Sequence, residues 1–173
     1  CIKNIRKYYK KIKIIVSLNK VNKKVKTDKN LKIIVSKNRS IGKKRNIAVK
    51  KFKSKYISFI DSDAYPNKNW LKLATKYLKQ KKGDIVGGPS IPFPNQSYFE
   101  KICYLSKRSY FVSGYLNFRK YRAKKRHCDW LESCNLTMGK KFFLKHGGMD
   151  SKRYIGEDKE FFERVRKKNP GLK

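Results

Sequence analysis

Acidic residues are scarce: twelve Asp and Glu stand against 47 Lys and Arg in 173 residues, a formal net charge of +35. That balance excludes a polyanionic surface and turns attention to nucleic acid, anionic lipid or phosphate-bearing ligands. Long apolar runs are missing as well. None reaches the roughly 18 residues a spanning helix requires, and the first residues carry no signal-peptide pattern. Cysteine offers little: Cys1, Cys103, Cys128 and Cys134 form no CxxC pair and no zinc-type spacing, although His127 and Cys128 lie near Cys134 in sequence. Core or surface thiols in a reducing cytoplasm fit that pattern. The chain starts with Cys, not Met, which suggests a fragment or a processed form.

With 39% hydrophobic and 13% aromatic residues, the chain can bury one domain core. The basic excess is mostly lysine, with ten arginines, and is spread over every segment rather than gathered on one stripe. An even spread argues against a dedicated nucleic-acid binder, which would concentrate its cations.

Residues 12–17 and 31–36 are short β-branched runs followed by polar turns, and 56–61 (YISFID) is a more continuous apolar run suited to a strand covered on both faces. Residues 42–53 read as a basic helix with Ile47, Ala48 and Phe52 as its apolar stripe. Pro66 marks the start of a clearer helix with Trp70, Leu73, Ala74, Tyr77 and Leu78 on one face and Gly83 as its stop. DIVGG at 84–88 reads as a fourth strand. Residues 98–126 read as an aromatic and basic helix plus loop, 133–138 as a further strand, 139–146 as a short helix closed by Gly147 and Gly148, and 157–168 as a final helix. Strands and helices alternating at this spacing predict an α/β fold on a mostly parallel sheet flanked by helices.

Six of the twelve acids lie in two short segments, Asp61 and Asp63 after the third strand and Glu157, Asp158, Glu160 and Glu163 on the last helix. Open α/β sheets bind ligands beyond the carboxyl ends of their strands, where Asp61 and Asp63 fall. Two carboxylates one residue apart in extended chain can offer hard oxygen ligands to Mg²⁺ or Mn²⁺. A plain turn and helix cap ahead of Pro66 accounts for them equally well. On the last helix, Asp158 shares a face with Phe161, Phe162 and Val165 and so points inward as a candidate general base, whereas Glu157 lines up with Glu160 and Arg164 on a face that reads as solvated. Complementing the helix dipole is the competing role for these acids.

Residues 42–71, GKKRNIAVKKFKSKYISFIDSDAYPNKNWL, resemble the core of family 2 glycosyltransferases with the GT-A (Rossmann-like) fold. ESCNLTMGKKFFLKHGGMD at 132–150 and GEDKEFF at 156–162 are similar to that family's later block, so the resemblance spans most of residues 31–168. It implies one partial catalytic domain over 1–173 that transfers a sugar, with inversion, from a nucleotide-sugar donor to a saccharide or lipid-linked acceptor in envelope polysaccharide or glycoconjugate synthesis. It further implies that Asp61 and Asp63 serve a Mg²⁺ or Mn²⁺ ion and the donor diphosphate, and that Asp158 deprotonates the acceptor. Arg45 and Asn46 would support the nucleotide side, and Glu132 and Asn135 the sugar or acceptor side. The family's opening strand and base-contacting loop have no counterpart before residue 12, and Ser17, Leu18 and Asn19 stand where acids near the base are usual.

Two rival readings rest on residues 98–126, whose aromatics interleave with Lys and Arg: single-stranded nucleic acid stacked on the rings, or peripheral contact with an anionic membrane at its cytoplasmic face. Packing of that stretch into the core is the plainer account.

Overall fold

The structure is a computed structural model that describes residues 1–20, 27–37, 40–51, 53–80 and 84–170. Phe52 and Gly83, expected as a stripe residue and a helix stop, lie outside the described residues. Helix α1 (Ile2–Tyr8) leads into β1 (Ile14–Leu18), β2 (Leu31–Val35), α2 (Ile41–Lys51), β3 (Tyr56–Ile60), α3 (Trp70–Lys79) and β4 (Ile85–Gly87). A long excursion follows, carrying α4 (Tyr98–Arg108), α5 (Tyr110–Ser113) and a 3₁₀ segment (Gly114–Lys120). The chain then returns through β5 (Asn135–Gly139), α6 (Lys140–Lys145) and α7 (Glu157–Lys168). No helix among the described residues is long and apolar enough to cross a membrane.

The α/β class stands: β1 and β2 pair in parallel, and helices flank the strands. The second ladder runs β3-β5-β4, with β5 antiparallel to both neighbours, so β3 and β4 are parallel to each other. The reversal has a simple origin. The excursion after β4 leaves from the carboxyl end of that strand, so a strand that begins at the same end must run back. β5 is central, and Leu136, Thr137 and Met138 are all buried although they point to alternate faces. Thr137 can sit there because its hydroxyl pairs with that of Ser58 on β3 at 2.8 Å.

The core joins β5 to α2, α6 and α7 through Leu136, Met138, Val49, Phe143, Phe161, Phe162 and Val165, closed by Met149. Two helix faces differ from the apolar pattern. On α3, Leu71 and Ala74 are buried while Leu73 is 48% exposed, and the helix begins at Trp70 after a turn, not at Pro66. On α2 the inward positions are Gly42, Arg45, Asn46 and Val49, an i, i+3, i+4, i+7 set that is half polar. Apolar periodicity cannot detect a helix that turns a guanidinium and an amide to the protein body. Gly42 allows that approach, since a Cβ there would stand 2.5 Å from the Asp150 carbonyl oxygen.

The turn after α6 locks the same contact. Gly147 and Gly148 have φ of +78° and +69°, and the Gly148 N–H donates to the Phe143 carbonyl at 3.0 Å. A Cβ on Gly148 would lie 2.5 Å from the Asn46 Oδ1, whereas one on Gly147 would meet nothing nearer than 3.6 Å. Both alanine substitutions incur left-handed strain, and only the second position adds a collision with a pinned side chain. Urea unfolding should therefore place Gly148→Ala about 1–3 kcal/mol below Gly147→Ala in stability; equal losses would contradict the contact.

Candidate active site

Strand register assembles one edge. Ile60 pairs with Asn135 and Gly87 with Leu136, so the carboxyl ends of β3 and β4 and the start of β5 lie side by side. Asp61 leaves β3 at that edge, and the segment Glu132–Asn135 arrives there. The amino end of α7 joins it, because the Ser133 N–H donates to the Asp158 Oδ2 at 3.1 Å. The second Asp158 oxygen accepts from the Lys159 N–H at 2.8 Å.

Arg45 ties the edge together. Its guanidinium donates to Glu157 at 2.6 Å and to Asp61 at 3.2 Å, and it lies over the Phe59 ring at 5.5 Å. The Arg45 and Glu157 side chains are only 14% and 7% exposed, while Asp61 is 47% exposed. One buried guanidinium thus links the loop after β3 to the start of α7. The solvated face expected for Glu157 is corrected here: it is buried and ion-paired. The cause is that α7 is covered on more than its apolar stripe. Glu160 holds Arg164 at 2.6 Å, as the i,i+4 spacing suggests, but Arg164 also donates to the His146 and Gly148 carbonyls, so this pair clamps the glycine turn rather than standing in solvent.

Asp63 is exposed and has no hydrogen-bond or ion-pair partner among the described residues. Asn46 receives the Met149 N–H at 3.0 Å and donates to the Met149 carbonyl at 2.7 Å, which makes it a clamp on the 149–150 turn beneath Arg45. Asn135 accepts from the Trp70 indole N–H at 2.8 Å, and its amide nitrogen would lie 2.9 Å from a Cβ on Gly88. Glu132 is held by Lys120 at 2.9 and 3.0 Å, accepts from the Ser90 hydroxyl at 3.2 Å and faces Arg119 at 3.9 Å. Burial alone would raise the Glu132 carboxyl, but the hydrogen bond and charge of Lys120, with Arg119 and Ser90, hold it below the ordinary glutamate range. Burial likewise pushes the neighbouring Cys134 thiol up, helped by the charges of Glu132 and Asp61.

Among the described residues no group of three or more His, Cys, Asp and Glu side chains could hold a metal by itself. Beside this edge a groove of about 930 Å³ runs along Gly87 and Gly88, lined by Tyr77, Phe118, Arg119, Lys124, Arg126 and Phe162 among others. Neither Asp61, Asp63 nor Asp158 lines it.

Sequence reasoning missed Glu157, Lys120, Ser90 and Trp70 as neighbours of the site. For Glu157 a signal existed: it precedes Phe161 by four positions, the spacing that places both on one helix face. Lys120 and Ser90 come from the excursion and from the segment after β4, and no local pattern links either to Glu132.

The molecule is thus an α/β domain with acidic and amide side chains collected at the carboxyl ends of its parallel strands. The glycosyl transferase family 2 model matches residues 1–147, and the chain belongs to that family. The matched span holds Arg45, Asn46, Asp61, Asp63, Glu132 and Asn135 and stops before Glu157 and Asp158. No curated protein sequence matches the chain. Among solved structures, S. aureus TarS 1–349 in complex with UDP-GlcNAc is similar over 95% of this chain and 48% of its own, with TM-score 0.59 and 17% identity. The same TarS fragment in complex with UDP covers 94% and 52%, with TM-score 0.55 and 15% identity. A longer TarS structure covers 94% and 31%, with TM-score 0.56 and 18% identity. The chain therefore shares the fold of these proteins and spans about half the length of the first two.

Two predictions follow from the charges. Glu157→Ala leaves Arg45 inside with only the half-exposed Asp61, and should cost about 3–5 kcal/mol in urea unfolding, whereas Asp61→Ala should cost under about 1 kcal/mol; the reverse order would contradict the burial of the Glu157 pair. Glu132 has a folded value below its unfolded one, so its stabilising contribution is complete above the ordinary glutamate range and is lost as pH falls below about 4.3. Thermal midpoints of Glu132→Gln should accordingly fall less steeply than those of the parent through that acid window; parallel curves would contradict the assignment.

Proposed function

We propose that the chain is the donor-binding and catalytic core of an inverting glycosyltransferase that moves a sugar from a nucleoside-diphosphate-sugar to the hydroxyl of a saccharide or lipid-linked acceptor, in polysaccharide or glycoconjugate synthesis on the cytoplasmic side of the membrane. The observation that carries the reading is the Arg45 bridge, which brings the Asp61 loop and the start of α7 to a single edge. The UDP-GlcNAc and UDP bound to TarS support a nucleoside diphosphate donor, since this chain has the same fold.

In this scheme Asp158, oriented by the Ser133 N–H, accepts the proton of the acceptor hydroxyl. The acceptor oxygen then forms its bond to the anomeric carbon from the face opposite the nucleotide. The bond from that carbon to the phosphate oxygen breaks, and its electron pair leaves with the diphosphate. One base suffices, because the departing group is already acidic and needs charge compensation instead of protonation. Asp63 and Asp61 are the residues to hold a divalent ion: Asp63 is exposed and has no partner among the described residues, and one Asp61 oxygen is turned to Arg45. Two carboxylates fit an ion such as Mg²⁺, which characteristically takes one or two protein carboxylates and completes its shell with substrate phosphates and water. When bound, such an ion supplies positive charge against the developing diphosphate. Arg45 and Asn46 shape the nucleotide side of this edge, while Glu132 and Asn135 border the sugar or acceptor side.

Asp158→Asn should leave Mn²⁺-dependent binding of UDP within about twofold while reducing transfer from UDP-sugars by at least about 10²-fold, the contribution of a positioned base; retained turnover would refute the role. Asp63→Ala touches no described partner, so its melting temperature should be unchanged while UDP affinity in Mn²⁺ falls by about tenfold or more. Unaltered affinity in calorimetric titration would remove Asp63 from the site.

A further inference from the structure

We infer that the face formed by α4 and α5 seats the protein on an anionic lipid bilayer. No residue of either helix is buried. Tyr98, Phe99, Ile102 and Leu105 fall on one side of α4 and are 82%, 74%, 43% and 50% exposed, and on α5 Tyr110 and Phe111 are 68% and 100% exposed. Single exposed apolar residues are ordinary, but six large aromatic and aliphatic side chains exposed on two successive helices mark an interaction surface.

Attachment to the body explains why this face points outward. The Tyr104 hydroxyl donates to the Lys120 carbonyl at 2.5 Å, Asn117 donates to the Arg108 carbonyl at 3.1 Å, and the Arg108 guanidinium covers the Tyr104 and Tyr121 rings. The helix is thereby held by its polar side, leaving the apolar side free.

Charge decides the occupant. Lys101 flanks the face, Lys107 and Arg108 close the last turn of α4, and the one acid on α4, Glu100, is taken up by the Ser97 cap. A second copy of a chain carrying +35 would bring like charges together. Anionic headgroups instead neutralise the cations while aromatic rings enter the headgroup boundary. The docked face also neighbours the site, since Lys120, which holds α4 by its carbonyl, holds Glu132 by its ammonium. An acceptor carried on a lipid would reach the Glu132 side of the edge directly. This last step rests on the transferase reading; the membrane contact does not.

Cosedimentation of the 173-residue chain with vesicles tests it. The parent should bind phosphatidylcholine vesicles containing phosphatidylglycerol, with little binding to phosphatidylcholine alone. The double variant Phe99→Ser, Phe111→Ser should bind the anionic vesicles about tenfold more weakly, with melting temperature and UDP affinity unchanged. Binding of parent and variant alike would reduce the effect to bulk charge and overturn the inference, as would no binding by the parent, or self-association of the parent abolished by the same substitutions. Vesicle binding without sugar transfer would preserve this inference and count against the proposed activity, and transfer to a soluble acceptor without vesicle binding would do the opposite.

Discussion

Removing a guanidinium and a carboxylate from water costs several kcal/mol per ion, repaid only where geometry and further hydrogen bonds are good. The Arg45–Glu157 pair meets that condition at 2.6 Å, with Asp61 accepting a second donor at 3.2 Å and the Phe59 ring beneath. A buried pair of this kind is not chosen for stability alone, because apolar residues of the same volume would often serve as well. What it adds is position. α2 and the end of β3 are successive in the chain while the start of α7 lies 112 positions from Arg45, and this one cation links all three. The clamp of Asn46 on Met149 and the close approach of Gly42 to Asp150 keep α2 at the distance that the bridge requires.

The same constraint explains the distribution of acids in a very basic chain. Asp61, Glu132 and Glu157 are each paired with cations at or behind one edge, while Asp158 is fastened to a backbone N–H. Asp63 alone of the candidate carboxylates is left without a described partner. An edge whose inner acids are already neutralised leaves its outer acid to interact with what arrives from solvent. Elsewhere the positive surplus is dispersed along the chain.

Much of this arrangement was legible from residue patterns. β3 is visible as a continuous apolar run, β5 as a strand over 133–138, α7 as a periodic stripe of Phe161, Phe162 and Val165, and the position of Asp61 at a strand end follows from the fold class. The faces of α2 and α3 were less readable because tertiary contact overrides apolar periodicity: α2 buries Arg45 and Asn46, and α3 buries Leu71 while leaving Leu73 outside. The antiparallel course of β5 depends on where a long excursion returns, which no local pattern records. The burial of Glu157 escapes local pattern because its partner, Arg45, lies 112 positions away. Core packing of residues 98–126 was the simpler expectation, and the exposure of Tyr98, Phe99 and Phe111 goes against it for α4 and α5.

In the proposed function the Asp61–Asp63 loop and the start of α7 flank one diphosphate site. A crystal of this chain with UDP and Mn²⁺, measured at a wavelength where manganese scatters anomalously, tests it most directly. The expected result is an anomalous peak coordinated by the Asp63 carboxylate and the diphosphate, with the phosphates on the same side of Arg45 as the start of α7. A peak elsewhere on the molecule, or a diphosphate bound away from both Asp63 and Asp158, would contradict it.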